Sequence, residues 1–102
     1  MYMKDVYILK KSGRKGKRFF ISMPALGHAH HFGSDVGRTF IDDRTEKEKD
    51  AWIARHKKDK GWDSRHSGIF YSRHLLWGKH TTLAKNVKDL EKLLGVKIEM
   101  DL

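Results

Sequence analysis

The sequence predicts an α+β domain, with a small N-terminal antiparallel β-meander packed against two to three C-terminal helices and a short C-terminal edge strand. Three observations carry that reading. Apolar residues in the first third come in short β-favouring runs separated by glycine. Beyond residue 42 the apolar spacing lengthens to that of a helix. A hydrophobic content of 38%, with 11% aromatic, is too much apolar material for a disordered basic tail. With 102 residues, the chain is a single domain (1–102) with material for one modest core.

Val6-Tyr7-Ile8-Leu9 and Phe19-Phe20-Ile21-Ser22-Met23 read as the strands of a hairpin whose loop contains Gly13 and Gly16. Pro24 cannot donate to a ladder and ends the second strand. Residues 29–33 are expected as a third strand and 38–41 as a fourth, with Gly33-Ser34-Asp35-Val36-Gly37 as the turn between them. Asp42, Asp43 and Thr45 offer capping oxygens for a helix over 46–58, acidic at its start and basic at its end as the macrodipole favours. Its buried seam is expected at Trp52, Ile53 and the ring of His56, and Gly61 is expected to stop it. Residues 67–78 are apolar nearly all round and read as a central helix. Thr81 or Thr82 then caps a last helix, in which Leu83, Val87, Leu90 and Leu94 form one stripe. Gly95 ends that helix, and residues 96–100 alternate like a closing edge strand.

Charge is the strongest functional signal. Lys and Arg total 22 against 13 acids, a net charge of +9. The hairpin loop Lys10-Lys11-Ser12-Gly13-Arg14-Lys15-Gly16-Lys17-Arg18 holds six cations and no acid. Such a tip suits phosphate, although a solvated loop kept soluble by lysine has the same composition. A second basic cluster, Arg55, Lys57, Lys58 and Lys60, follows the first helix, with Trp62, Arg65 and Arg73 beyond it. Cations interleaved with an aromatic ring can hold phosphates while the ring stacks on a base; equally, Trp62 can cover the core under a stacked arginine. Trp52 and Trp77 fall at helical spacing and read as core or core edge. No zinc-finger, helix-turn-helix or aromatic RNP motif occurs, so any nucleic-acid binding is expected to be led by the phosphate backbone.

Chemistry is harder to find. His28 and His30 would share one strand face and invite a metal, but a site needs a third ligand from His56, His66, His74 or His80. The ligand count is incomplete, so no metal and no cofactor are expected. A metal-dependent nuclease could use His28 or His31 as base and Asp35, Asp42 or Asp43 to hold Mg²⁺; those carboxylates read better as turn formers and caps. No nucleophile, base and orienting group converge, so a non-enzymatic protein is expected. The three neighbouring histidines, His28, His30 and His31, are expected to titrate between about pH 5 and 8 and to strengthen anion binding in acid. There is no cysteine, which suits a reducing compartment and excludes disulfides. No apolar run approaches the roughly 20 residues of a membrane span, and Met1-Tyr2-Met3-Lys4-Asp5 lacks the apolar stretch of a leader.

The segments His31-Phe32-Gly33, Ala54-Arg55-His56-Lys57-Lys58 with Trp62, and Ser72-Arg73-His74-Leu75-Leu76-Trp77 followed by Thr81-Thr82-Leu83 form an ordered pattern over about residues 30–95. The pattern resembles a family of small basic proteins of unknown function from large double-stranded DNA viruses of algae and amoebae. Its motifs look like packing motifs, and it brings no catalytic residue. The family pattern expects an aromatic beside the arginine of the third segment, where this chain has His74. The resemblance implies a virus-encoded protein made in the host cytoplasm, at the virus factory, and packaged in the virion.

The expected function is therefore a virion-associated structural protein binding viral DNA or another polyanion through Lys10, Lys11, Arg14, Lys15, Lys17, Arg18, Arg55, Lys57, Lys58, Lys60, Trp62 and Arg65. The alternative is a minor capsid or cement protein docking on capsid proteins. The direction of the aromatics discriminates: an exposed patch of Phe70, Tyr71 or Trp62 favours protein docking, and buried aromatics beside basic surface favour nucleic acid.

Overall fold

Strands β1 (Val6–Lys11) and β2 (Lys17–Met23) pair antiparallel, and the loop between them turns where the glycines suggest. Lys17 N donates to Arg14 O at 3.1 Å, closing a β-turn whose third residue, Gly16, has φ +86°. These elements come from a computed structural model that describes residues 5–102; residues 1–4, on which most of the leader reading falls, lie outside it. A 3₁₀ turn at Pro24–Leu26 leads to β3 (His28–Ser34), antiparallel to β2. The last strand, β4 (Lys97–Asp101), lies parallel to β1, giving the order β3-β2-β1-β4. The architecture is the α+β one, with an N-terminal meander and helices from residue 46 on.

One sheet face carries Tyr7, Leu9, Phe19, Ile21, Met23, Phe32 and Ile98, all buried. Against it pack Phe70, Tyr71, Leu75, Leu76, Val87 and Leu90. Each large side chain so buried contributes about 1.5–3 kcal/mol. Helix α3 (Leu83–Leu94) supplies its stripe as expected, with Val87 and Leu90 buried and Leu83 and Leu94 at the core margin. Thr82 takes the N-cap position, and Gly95 ends the helix at φ +67°. Glu91 then joins α3 to β4: its carbonyl accepts from Gly95 N and Val96 N, and its carboxylate accepts from Ile98 N at 2.8 Å.

Three expectations are corrected. Residues 38–41 are not a strand. Thr39 O accepts from the amides of Asp42, Asp43 and Arg44, and the Asp42 carboxylate returns to Thr39 N (2.8 Å) and Oγ1 (3.0 Å). These local bonds use the groups a ladder would need.

Residues 67–78 are not one helix. Helix α2 (Gly68–Tyr71) widens into a π-helical turn, Ser72–Leu76, closed by Trp77 N donating to Ser72 O. The helical segment ends at Leu76, and at Gly78 a Cβ would fall 2.3 Å from His74 O. Asn86, 1% exposed, secures this end: Nδ2 donates to Leu75 O and His80 O, and Oδ1 accepts from His80 N. The amide thus satisfies a helix-end carbonyl that has no intrahelical donor.

Helix α1 (Glu46–His56) has a capping box between Thr45 and Glu48, and it ends at His56, ahead of Gly61. Its expected seam, Trp52, Ile53 and His56, is only half-buried, and its buried residue is Lys49. The reason is that α1 is held on by aromatic rings and lacks an extensive helix or sheet contact. Trp52 stacks on Trp77 at 5.1 Å and 10°, with Trp62 at 5.7 Å and His56 at 4.7 Å. Lys49 Nζ sits 4.3 Å over the Phe40 ring and donates to Gly78 O. Among the described residues no helix is long and apolar enough to cross a membrane.

Candidate nucleic-acid interface

The hairpin tip is a tied structure. Ser12 N donates to Arg18 O, Arg14 N donates to Ser12 Oγ, and Gly16 N donates to the Asp35 carboxylate just beyond β3. Ser12 Oγ also hydrogen-bonds His31 Nδ1 at 2.7 Å, fixing that ring. Four cations, Lys11, Arg14, Lys15 and Lys17, are exposed on this frame. Among the described residues no carboxylate lies within ion-pair distance of any of them. Lys11 and Lys17 line an open groove of about 960 Å³, whose other wall is Gly37, Arg38, Ile41, Asp42 and Asp43.

The remaining predicted cations differ from these four. Lys10 is 3.9 Å from Asp101, a loose and exposed pair. Arg18 is committed: its guanidinium forms a bidentate pair with Asp42 and lies 5.2 Å from the Phe19 ring. That cation holds Asp42 at a pKa of about 2, well below its ordinary value, with hydrogen bonds from Thr39 assisting and burial opposing. Arg55, Lys57, Lys58 and Lys60 are exposed around the end of α1. Trp62 is half-buried, with the Arg73 guanidinium 4.5 Å over its ring and Trp52 beside it, so it covers the structure as a lidded ring. Arg73 also pairs with Asp63 at 2.7 Å. Arg65 is half-buried, with Nη1 3.4 Å from Tyr7 Oη, while its carbonyl accepts from Tyr71 Oη.

The histidines divide between the two faces of the sheet. Register places His28 opposite Met23 and His30 opposite Ile21, on one face as expected, which is the helix-covered one, and His31 opposite Phe20 on the other. His28 meets His66 at 4.6 Å between ring centres, and His30 stacks on Tyr71 at 6.3 Å. Burial, then His28 and His66, push the His30 pKa down, so the expected acid-side charging is opposed at this residue. Among the described residues no three His, Asp or Glu side chains converge in a way that could hold a metal ion. The carboxylates weighed for Mg²⁺ are engaged elsewhere: Asp35 with Gly16 N, Asp42 with Arg18 and Thr39, Asp43 with Arg38.

Sequence reasoning missed the pair Phe20–His31, whose rings lie 4.6 Å apart on the sheet face opposite the helices. The signal was present in the doublet Phe19-Phe20, since adjacent strand residues point to opposite faces and one of the two must point away from the core. Comparison with family models, with curated proteins and with solved structures finds no match to this chain.

Proposed function

We propose that this protein is a non-enzymatic basic structural protein that binds nucleic-acid backbone through its hairpin tip, in the virion-associated role implied by the resemblance to the viral family. The observation carrying the proposal is the set of four exposed cations, Lys11, Arg14, Lys15 and Lys17, on a loop immobilised by Ser12, Asp35 and His31. A positioned cluster loses little side-chain-independent entropy when it meets phosphates, and each neutralised phosphate releases counterions. The exposed cations after α1 add a second, sequence-independent contact region.

The burial of the aromatics favours this reading over docking on capsid subunits. Phe70 is 4% exposed, Tyr71 is fully buried, and Trp62 lies beneath Arg73, so these three offer no flat apolar patch.

The test is fluorescence anisotropy of a labelled arbitrary-sequence duplex at low and high salt. Binding should weaken steeply with salt, and Lys15→Glu with Lys17→Glu should flatten the dependence by roughly two contacts' worth of slope. Arg18 is left intact in that variant because it is bonded to Asp42. Binding that ignores the double reversal would sink the proposal.

A further inference from the structure

The sheet face opposite the helices carries Val6, Ile8 and Lys10 from β1, Phe20 and Ser22 from β2, and Ala29 and His31 from β3. Among the described residues no helix covers it. Register sets Lys10, Phe20 and His31 side by side across three strands, with Phe20 on an inner strand, His31 on the edge strand β3 and the lysine on the other side of Phe20. Lys11 and Lys17 share the strand face of Phe19, but Lys10 stands beside Phe20 on the open face, and Arg14 and Lys15 sit in the loop at the same end of the sheet. His31 is held by Ser12, within the basic loop itself. The rings, Lys10 and the loop cations Arg14 and Lys15 therefore gather at one end of the open face.

We propose that this open face is a base-stacking platform, and that the preferred ligand is single-stranded nucleic acid, with its bases on Phe20 and His31 and its phosphates at the hairpin tip. The inference rests on the nucleic-acid reading above and narrows it to one strand form. A duplex keeps its bases stacked on one another and can use only the cations, whereas a single strand offers both its charge and the faces of its bases. The β4 side of the face carries Lys97, Glu99 and Asp101, a net negative strip with Asp101 3.9 Å from Lys10, which favours the β1–β3 side for phosphate.

The experiment measures anisotropy with a labelled oligothymidylate and with a duplex of equal length, for the parent protein, Phe20→Leu, Phe20→Tyr and the Lys15→Glu/Lys17→Glu variant. Leucine keeps an apolar side chain on the strand and tyrosine keeps the ring, so circular dichroism should show all of them folded. The expected result is tighter binding of the single strand, weakened about tenfold by Phe20→Leu and restored by Phe20→Tyr, with duplex binding unchanged by either. Equal binding of both ligands, or single-strand binding indifferent to Phe20→Leu, would overturn the platform and leave the charge-based reading standing. No binding of either ligand at low salt would overturn both.

Discussion

Arg18 and Asp42, 24 positions apart, form a two-point ion pair, with Nη1 and Nη2 2.7 and 2.8 Å from the two carboxylate oxygens. The pair ties the start of β2 to the turn that replaces the expected fourth strand. It also removes one cation from the tip and makes it a structural element.

Asp42→Asn should therefore lower stability at pH 7 by about 1 kcal/mol, a partly exposed pair being screened by solvent. The Asp42 carboxyl titrates at about 2 when folded, below its unfolded value, so its contribution is complete above pH 4 and is lost as pH falls through 2. Urea denaturation across that range should show parent and variant converging at low pH. Arg18→Glu sets two carboxylates face to face and should cost more than Asp42→Asn at neutral pH. Equal stability of Arg18→Glu and parent would contradict the structural assignment.

Trp52→Ala should detach α1. The indole of Trp52 touches Trp62, Trp77 and His56, and the helix has little other purchase on the body. A half-buried tryptophan lost from such a cluster costs about 2–3 kcal/mol. Limited proteolysis should then cut first within residues 42–60, while α3 and the sheet stay protected. A variant that unfolds only globally, with no early cleavage there, would contradict this picture.

His74 supplies a pH dependence on the acid side. Its ring is half-buried against Phe70, 4.4 Å between centres, and its pKa is pushed down to about 4 by that burial, with Arg73 assisting and Asp63 opposing. The native state holds the ring neutral and the unfolded chain binds the proton more readily, so stability declines as pH falls from about 6.5 to 4. The part of the ring open to solvent limits the loss to about 2 kcal/mol. His74→Phe places the aromatic that the viral pattern expects and should flatten that stretch of the stability profile. An unchanged thermal-melting profile between pH 7 and 4 would refute the assignment.

Local pattern was legible in the sequence, and partner choice was not. The hairpin at Gly16 and the stripe of α3 are written in turn chemistry and 3.6-residue spacing. Alternation at residues 96–100 announced a strand without saying that its neighbour would be β1 or that the pair would run parallel. Residues 38–41 have strand-like composition, yet the Asp42 side chain captures Thr39 first. The run at 67–78 is apolar enough for a helix, and nothing in its composition marks the widening to a π turn at Ser72 or the close approach of His74 and Asn86 that requires glycine at 78. Among the candidate binding residues, exposure and charge were read correctly at Lys15 and Lys17, while the pairing of Arg18 and the covering of Trp62 depend on residues distant in sequence. Phe20 went unnoticed because its neighbour Phe19 so plainly belongs to the core.

The parallel pairing of β1 with β4 matters for the order of assembly. Val6 finds its partner at Lys97, across nearly the whole chain, and until then β1 has a neighbour on one side only. During synthesis the meander and the first helices leave the ribosome with that strand edge unpaired, a template for pairing with another chain. Completion of the sheet is thus a late event with a long loop to close, and the slow step of folding should be the arrival of residues 97–101. The charged side chains of Lys97, Glu99 and Asp101 give the finished sheet a guarded margin in place of that vulnerable one.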